Sequence, residues 1–112
     1  MKRERRDTPR IPIALEVMLK QADNRFQRCV TRNISLDGLF LETPAALDIL
    51  PRRSTYLAIK IPENGRDRIH HFHAQAVYVK DNGAAFVFDR VATEGYAALL
   101  ELVFSRQPRG TW

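Results

Sequence analysis

Two short polar segments carry the residues that could do chemistry. The first is Arg5-Arg6-Asp7-Thr8-Pro9-Arg10. Arginine suits phosphate because its planar fork makes paired, charge-assisted hydrogen bonds. It also stacks on aromatic rings and can grip O6 and N7 of guanine with two bonds at once. The second is Asn33-Ile34-Ser35-Leu36-Asp37-Gly38. Asn33 and Ser35 are two residues apart, so an extended backbone puts them on one side. Gly38 lets the chain turn or approach a ligand closely. A cationic arm beside an amide and a hydroxyl on a strand end makes a purine-nucleotide site. Each segment alone has a plainer reading. An arginine-rich terminus is usually a solvated tail, and Asn, Ser, Asp and Gly together are common turn chemistry.

Other reactive side chains lead less far. His71 and His73 share a strand face with ligand-like spacing, but no Cys or carboxylate nearby completes a metal site, so His70, His71 and His73 read as exposed strand histidines. Ser35 has no activating base in view. No glycine-rich phosphate loop, HExxH or GxSxG is present. Cys29 is the one cysteine, with no internal partner for a disulfide, and reads as a packed small hydrophobe. Arg52-Arg53 and Arg66–Arg68 read as solvated loop charges, with Arg52-Arg53 able to extend an anion-binding surface. Trp112 has no assigned role.

The elements that position these residues follow from periodicity. Ile13, Leu15, Val17 and Leu19 alternate with polar residues, which is a half-buried strand. A second strand runs over about Phe26–Asn33, with Phe26, Val30 and Ile34 on one parity. Leu39–Thr43, Tyr56–Ile61, Ile69–Lys80 and Ala84–Asp89 read as four more. Residues 44–54 form a loop with room for a helical turn at Ala45–Ile49. Pro62, Asn64 and Gly65 make one turn, and Asp81-Asn82-Gly83 a hairpin. Near Thr93 the period changes. Tyr96, Leu99, Leu100, Val103 and Phe104 make an apolar stripe on a helix of about 93–106, with Thr93 as N-cap. The fold class is therefore all-β: about six antiparallel strands closing into a barrel or sandwich, with a C-terminal helix. Residues 1–10 are a flexible arm, because they carry too little apolar surface to offset ordering. Residues 11–107 form the barrel and helix, and 108–112 a tail.

Composition agrees. The chain of 112 residues fits one domain, and 45% hydrophobic with 28% charged residues indicates an ordered fold. No apolar run is long enough to cross a bilayer, and the first residues are charged rather than a signal core. A cytoplasmic protein is expected, without membrane insertion. The formal charge of +5, from 18 Lys and Arg against 13 Asp and Glu, favours an anionic partner.

Together the two segments resemble the signature of the PilZ domain family, an RxxxR arm followed by [D/N]xSxxG. Arg6-x-x-x-Arg10 and Asn33-x-Ser35-x-x-Gly38 match it at every defined position, and the resemblance extends from Arg5 to about Arg106. It implies a six-stranded antiparallel β-barrel with a C-terminal α-helix. It also implies a bacterial receptor for the second messenger cyclic di-GMP, with no catalytic role and no cofactor. By the family pattern, Arg6 and Arg10 would hold phosphate and guanine as the arm folds over the ligand. Asn33, Ser35 and Gly38 would hold a guanine edge. Arg5, just before the motif, is where the family tends to bind two intercalated ligand molecules per chain. Tyr78 occupies a strand position where relatives often have Trp or Arg near the base, although a cross-strand aromatic explains it equally well. The signal would pass to an unidentified downstream protein in motility, exopolysaccharide, biofilm or virulence control. Two other readings stand beside this one. One is a basic barrel binding single-stranded nucleic acid by stacking and phosphate contacts. The other is a protein-interaction adaptor whose motifs bind no nucleotide.

Overall fold

The computed structural model describes residues 9–44 and 47–105. Six strands appear: β1 (Glu16–Lys20), β2 (Phe26–Ile34), β3 (Gly38–Glu42), β4 (Ser54–Glu63), β5 (Arg66–Lys80) and β6 (Gly83–Val91), followed by helix α1 (Thr93–Ser105). Every pairing is antiparallel. The order β1-β2-β3-β6-β5-β4 closes into a barrel, as expected from the sequence. Closure leaves no open edge along the sheet.

Alternation explains most of the core. In β4, Thr55, Leu57, Ile59 and Ile61 point inward, while Tyr56, Ala58 and Lys60 stay partly exposed. Val17 and Leu19 of β1, Leu39 and Leu41 of β3, Phe72 and Ala74 of β5 and Phe86 of β6 fill the interior. Burial pushes the Cys29 thiol up to about 11, so it packs as a neutral side chain. Outside, Glu16 joins β1 to both neighbours through Lys60 at 3.1 Å and Arg28 at 2.6 Å.

Strand β2 departs from its expected parity. Phe26 and Val30 are exposed, and the inward residues are Cys29 and Thr31. A bulge between Thr31 and Asn33 then flips the alternation, so that Ile34 is buried after all. On the other side of β2, β1 starts at Glu16 rather than Ile13. Thr31 takes over the pairing there. Its hydroxyl donates to the Ile13 carbonyl (2.6 Å) and accepts from the Leu15 amide (2.8 Å). Leu15 remains buried beside it.

Turns and helix show further differences. Ala45 and Ala46 lie outside the described residues, and Leu47–Leu50 hold no helical turn. Asn64 and Gly65 are both left-handed (φ 48° and 80°), and Pro62 sits within β4, opposite Asp67. The β5–β6 turn is Asp81-Asn82, with Gly83 already paired to Lys80. Neither Asn82 nor Gly83 has positive φ. The helix begins at Thr93, and Ala92 is the capping residue, its carbonyl accepting the Tyr96 amide at 2.9 Å. The buried face is Gly95, Ala98, Leu99, Leu102 and Val103, rotated from the expected stripe. Tyr96 and Phe104 are exposed. Small residues let the helix sit close to the barrel, where Gly95 lies against the Phe72 ring. No described helix is long and apolar enough to cross a membrane.

Candidate functional site

The chain reaches the barrel at Ile11. Its amide donates to the Ile34 carbonyl (2.9 Å), and the Ile34 amide donates back to the Ile11 carbonyl (3.0 Å). Ile11 is buried, so this short bridge has an apolar anchor. It fixes the root of the arm against the last residue of β2. Arg10 is therefore held next to Asn33, and its Nη1 donates to Asn33 Oδ1 at 2.8 Å. That bond engages one donor of the guanidinium fork, and Arg10 makes no ion pair among the described residues.

The β2–β3 loop has a different character. Ser35 is fully buried. Its hydroxyl donates to Asp37 Oδ1 (2.6 Å) and lies 3.3 Å from the Gly38 carbonyl, while its amide donates to that carbonyl at 2.8 Å. The Asp37 amide returns to the Ser35 hydroxyl at 3.3 Å, and the Phe88 amide donates to the Asp37 carbonyl at 2.9 Å. This is a hydroxyl-closed turn riveted to β6. Gly38 is buried opposite Val87, where a Cβ would collide with the Phe86 carbonyl oxygen. Its missing side chain is thus required by strand packing.

Asn33 lies on the barrel's outer surface at the start of a cross-strand row. It pairs with Phe40, Phe40 with Ala85, and Ala85 with Tyr78. Paired residues share a face. Tyr78 is therefore on Asn33's face, three strands away, or about 14 Å at ordinary strand spacing. Phe40 is covered by the Arg32 guanidinium, 4.3 Å from its ring centroid, and leans on Tyr78 at 6.2 Å. Arg32 is also paired to Glu42 at 2.8 Å, and Lys80 sits 5.5 Å from the Tyr78 ring. The face thus offers a half-exposed aromatic, an amide and several cations.

The structure brings together Arg10, Asn33, Ser35 and Gly38, and sets Tyr78 on the same face at a distance. Arg5 and Arg6 lie outside the described residues, as does Trp112. Phe40 and Arg32 were not singled out in the sequence. The available signal was the unbroken Leu39-Phe40-Leu41 run, which requires burial on both faces of β3.

The histidines lie elsewhere. His71 is stacked on Tyr56 and hydrogen-bonded to its hydroxyl, and His73 meets the same ring edge-on. His70 pairs with Glu63 at 3.1 Å. Among the described residues no group of three or more His, Cys, Asp or Glu could hold a metal ion.

Comparison with known proteins places this geometry. No curated protein matches the chain. The solved structure of the Bacillus subtilis inhibitor of motility MotI/DgrA is similar with a TM-score of 0.80 at 23% identity, over 92% of this chain and 51% of that one. The chain thus spans about half the length of MotI/DgrA. The PilZ domain of Escherichia coli YcgR, solved with c-di-GMP, is similar at TM-score 0.73 and 20% identity over 90% of each chain. The PilZ domain of CeSA from a cellulose-synthesizing bacterium gives 0.63 at 18% identity, over 87% of this chain and 96% of that one. The family model of the PilZ domain matches residues 4–105, and so this chain belongs to the PilZ domain family.

Proposed function

We propose that the protein is a receptor for cyclic di-GMP, bound between the arginine arm and the outer face that begins at Asn33. One observation carries the reading: the Ile11–Ile34 bridge delivers Arg10 to Asn33, joining the two halves of the signature at one end of β2. Membership of the family supports it, as does the likeness to the YcgR PilZ domain solved with c-di-GMP. Arg6 and Arg10 take phosphate and guanine, and Arg5 admits a second ligand molecule. Asn33 offers its amide to a base edge. Ser35 and Gly38 hold the loop in the shape that exposes backbone to the ligand. Tyr78 is reached only by a ligand that extends along the Phe40–Ala85 row.

The energies suffice. A charge-assisted hydrogen bond is worth about 1.5–3 kcal/mol and a good cation–π contact about 0.5–2 kcal/mol. A few of each offset an arm ordered at about 1–2 kcal/mol per residue. The closed arm makes a new surface for a downstream protein, without catalysis, in processes such as control of motility. Titration calorimetry tests the reading. Cyclic di-GMP should bind far more tightly than GMP, and Arg6→Ala or Arg10→Ala should weaken it at least tenfold with the circular dichroism spectrum retained. Arg5→Ala should move the ratio from two ligands per chain towards one. Equal affinity for GMP would overturn the ligand assignment.

A further inference from the structure

A second recess lies around the other end of β2. It has a volume of about 490 Å³ and is walled by the β1–β2 turn, the loop before β4, and the start of β4. Lys20, Arg52 and Arg53 all line it. Of the other described cations, Arg25, Arg28, Arg32, Lys60 and Arg68 are paired with carboxylates, whereas Arg10, Arg66, Lys80 and Arg90 are not and lie outside this recess. Lys20, Arg52 and Arg53 make no ion pair among the described residues, although they share one concavity. Among the described residues no Asp or Glu lines it. The carboxylates beside the lining are Asp23, paired to Arg25 at 3.7 Å, Asp48, whose backbone bonds to Ala22 and Gln21, and Asp89, held by the Ser54 hydroxyl at 3.3 Å and the Gln75 amide at 3.0 Å.

The recess is built rather than incidental. The Ala22 amide donates to the Asp48 carbonyl (2.7 Å), and the Asp48 amide donates to Gln21 Oε1 (3.0 Å), which ties the long loop to the β1–β2 turn. Leu50-Pro51-Arg52-Arg53 then forms a tight turn closed by the Arg53 amide on the Leu50 carbonyl at 3.3 Å. Arg52 occupies its third position with φ 67°. That position normally takes Gly or Asn, because a side chain is strained in the left-handed region. Strain kept at one residue points to a use for its side chain. Tyr56 and His73, one ring edge-on to the other, supply an aromatic wall to the same recess.

We infer that Lys20, Arg52 and Arg53 form a second anion site that takes the phosphate of a small phosphorylated molecule, with the body of that molecule against Tyr56 and His73. The volume matches small-molecule sites. The three cations supply charge-assisted donors that no carboxylate among the described residues holds in an ion pair. The recess shares no residue with the Arg10–Asn33 pair at the other end of β2, and its assignment stands whether or not cyclic di-GMP is the ligand there.

Amide spectra of the full chain, titrated with pyrophosphate and with GMP against sodium chloride at equal ionic strength, test it. Saturable shifts should appear in residues 20–24 and 50–56, and GMP should bind several-fold more tightly than pyrophosphate. Arg52→Gly with Arg53→Gln should weaken both at least tenfold. Glycine is at ease at this φ, so the melting temperature should hold or rise, which keeps misfolding from mimicking the result. Cyclic di-GMP titration of the same double variant should be unchanged, which separates this site from the arm. Shifts confined to residues 33–38, shifts reproduced by sodium chloride, or binding untouched in the double variant would overturn the site. Equal affinity for pyrophosphate and GMP would remove the aromatic wall from it.

Discussion

Two halves of one polar signature meet at the end of β2, and they differ in what the fold asks of them. Ser35 and Gly38 are buried and fully occupied, one closing a turn and the other admitting the β6 backbone. Arg10 and Asn33 are held together by one exposed hydrogen bond and otherwise belong to the surface. A motif of this kind is therefore not a row of equivalent ligand contacts. Part of it makes the rim, and part of it is what the rim presents. A substitution in the first part should act on stability, and in the second on binding.

Gly38→Ala should break the barrel hardest. The obstacle is a backbone oxygen on the neighbouring strand, which cannot swing away, so urea unfolding should show a loss of about 3 kcal/mol or more. Thr31→Val follows at about 2 kcal/mol, because it leaves the buried Leu15 amide and the Ile13 carbonyl without the hydroxyl that serves both. Ser35→Ala should cost about 1.5 kcal/mol, since the turn keeps its backbone bond from Ser35 to Gly38. A cost for Ser35→Ala no larger than that of an exposed site would erase the distinction between the two halves.

Acid unfolding adds a check away from the site. The Lys60 hydrogen bond, then the charges of Arg28 and Lys60, hold the Glu16 carboxyl below its ordinary value of 4.5. A lowered folded value means the contribution is present above the ordinary value and lost as pH falls through the lowered one. Glu16→Gln should therefore lower stability slightly through the neutral region and flatten the fall below about pH 4.5, so that the two profiles converge in acid. A profile parallel to the unaltered chain would show that the surface network contributes nothing there.

Much of the architecture was legible because a strand with one wet face writes its burial as alternation. β1, β4 and the core of β5 do this plainly, and the turn residues mark the hairpins. The errors arise where alternation is interrupted or carried by small side chains. The bulge after Thr31 reversed the faces of β2, and no residue type announces a bulge of this sort. On α1, Gly95 and Ala98 face the barrel because they are small, so a stripe drawn through the large apolar residues was rotated outward. The polar positions of the site were legible as types, because amides, hydroxyls and glycine have few uses at a strand end. Their division of labour was not, since it depends on Phe86 and Phe88 of β6, some fifty residues away along the chain.

The smallest stability effect makes the sharpest test of the comparison. Arg10→Ala and Asn33→Ala each remove the same exposed hydrogen bond. Exposed pairs contribute little, because water replaces the partner and two side chains regain their freedom. Each variant should therefore unfold within about 0.5 kcal/mol of the unaltered chain, and a double-mutant cycle should give a coupling no larger than that. The Ile11–Ile34 backbone bridge remains in both variants, so the root of the arm stays docked. Binding should respond in the opposite sense. Loss of either group removes a contact that the ligand would use, and affinity should fall by tenfold or more while the melting curve barely moves. Gly38→Ala supplies the mirror image, a large loss of stability with no ligand-facing side chain removed. If Arg10→Ala instead destabilised the chain as much as Ser35→Ala does, Arg10 would be part of the frame, and the surface half of the signature would shrink to Asn33.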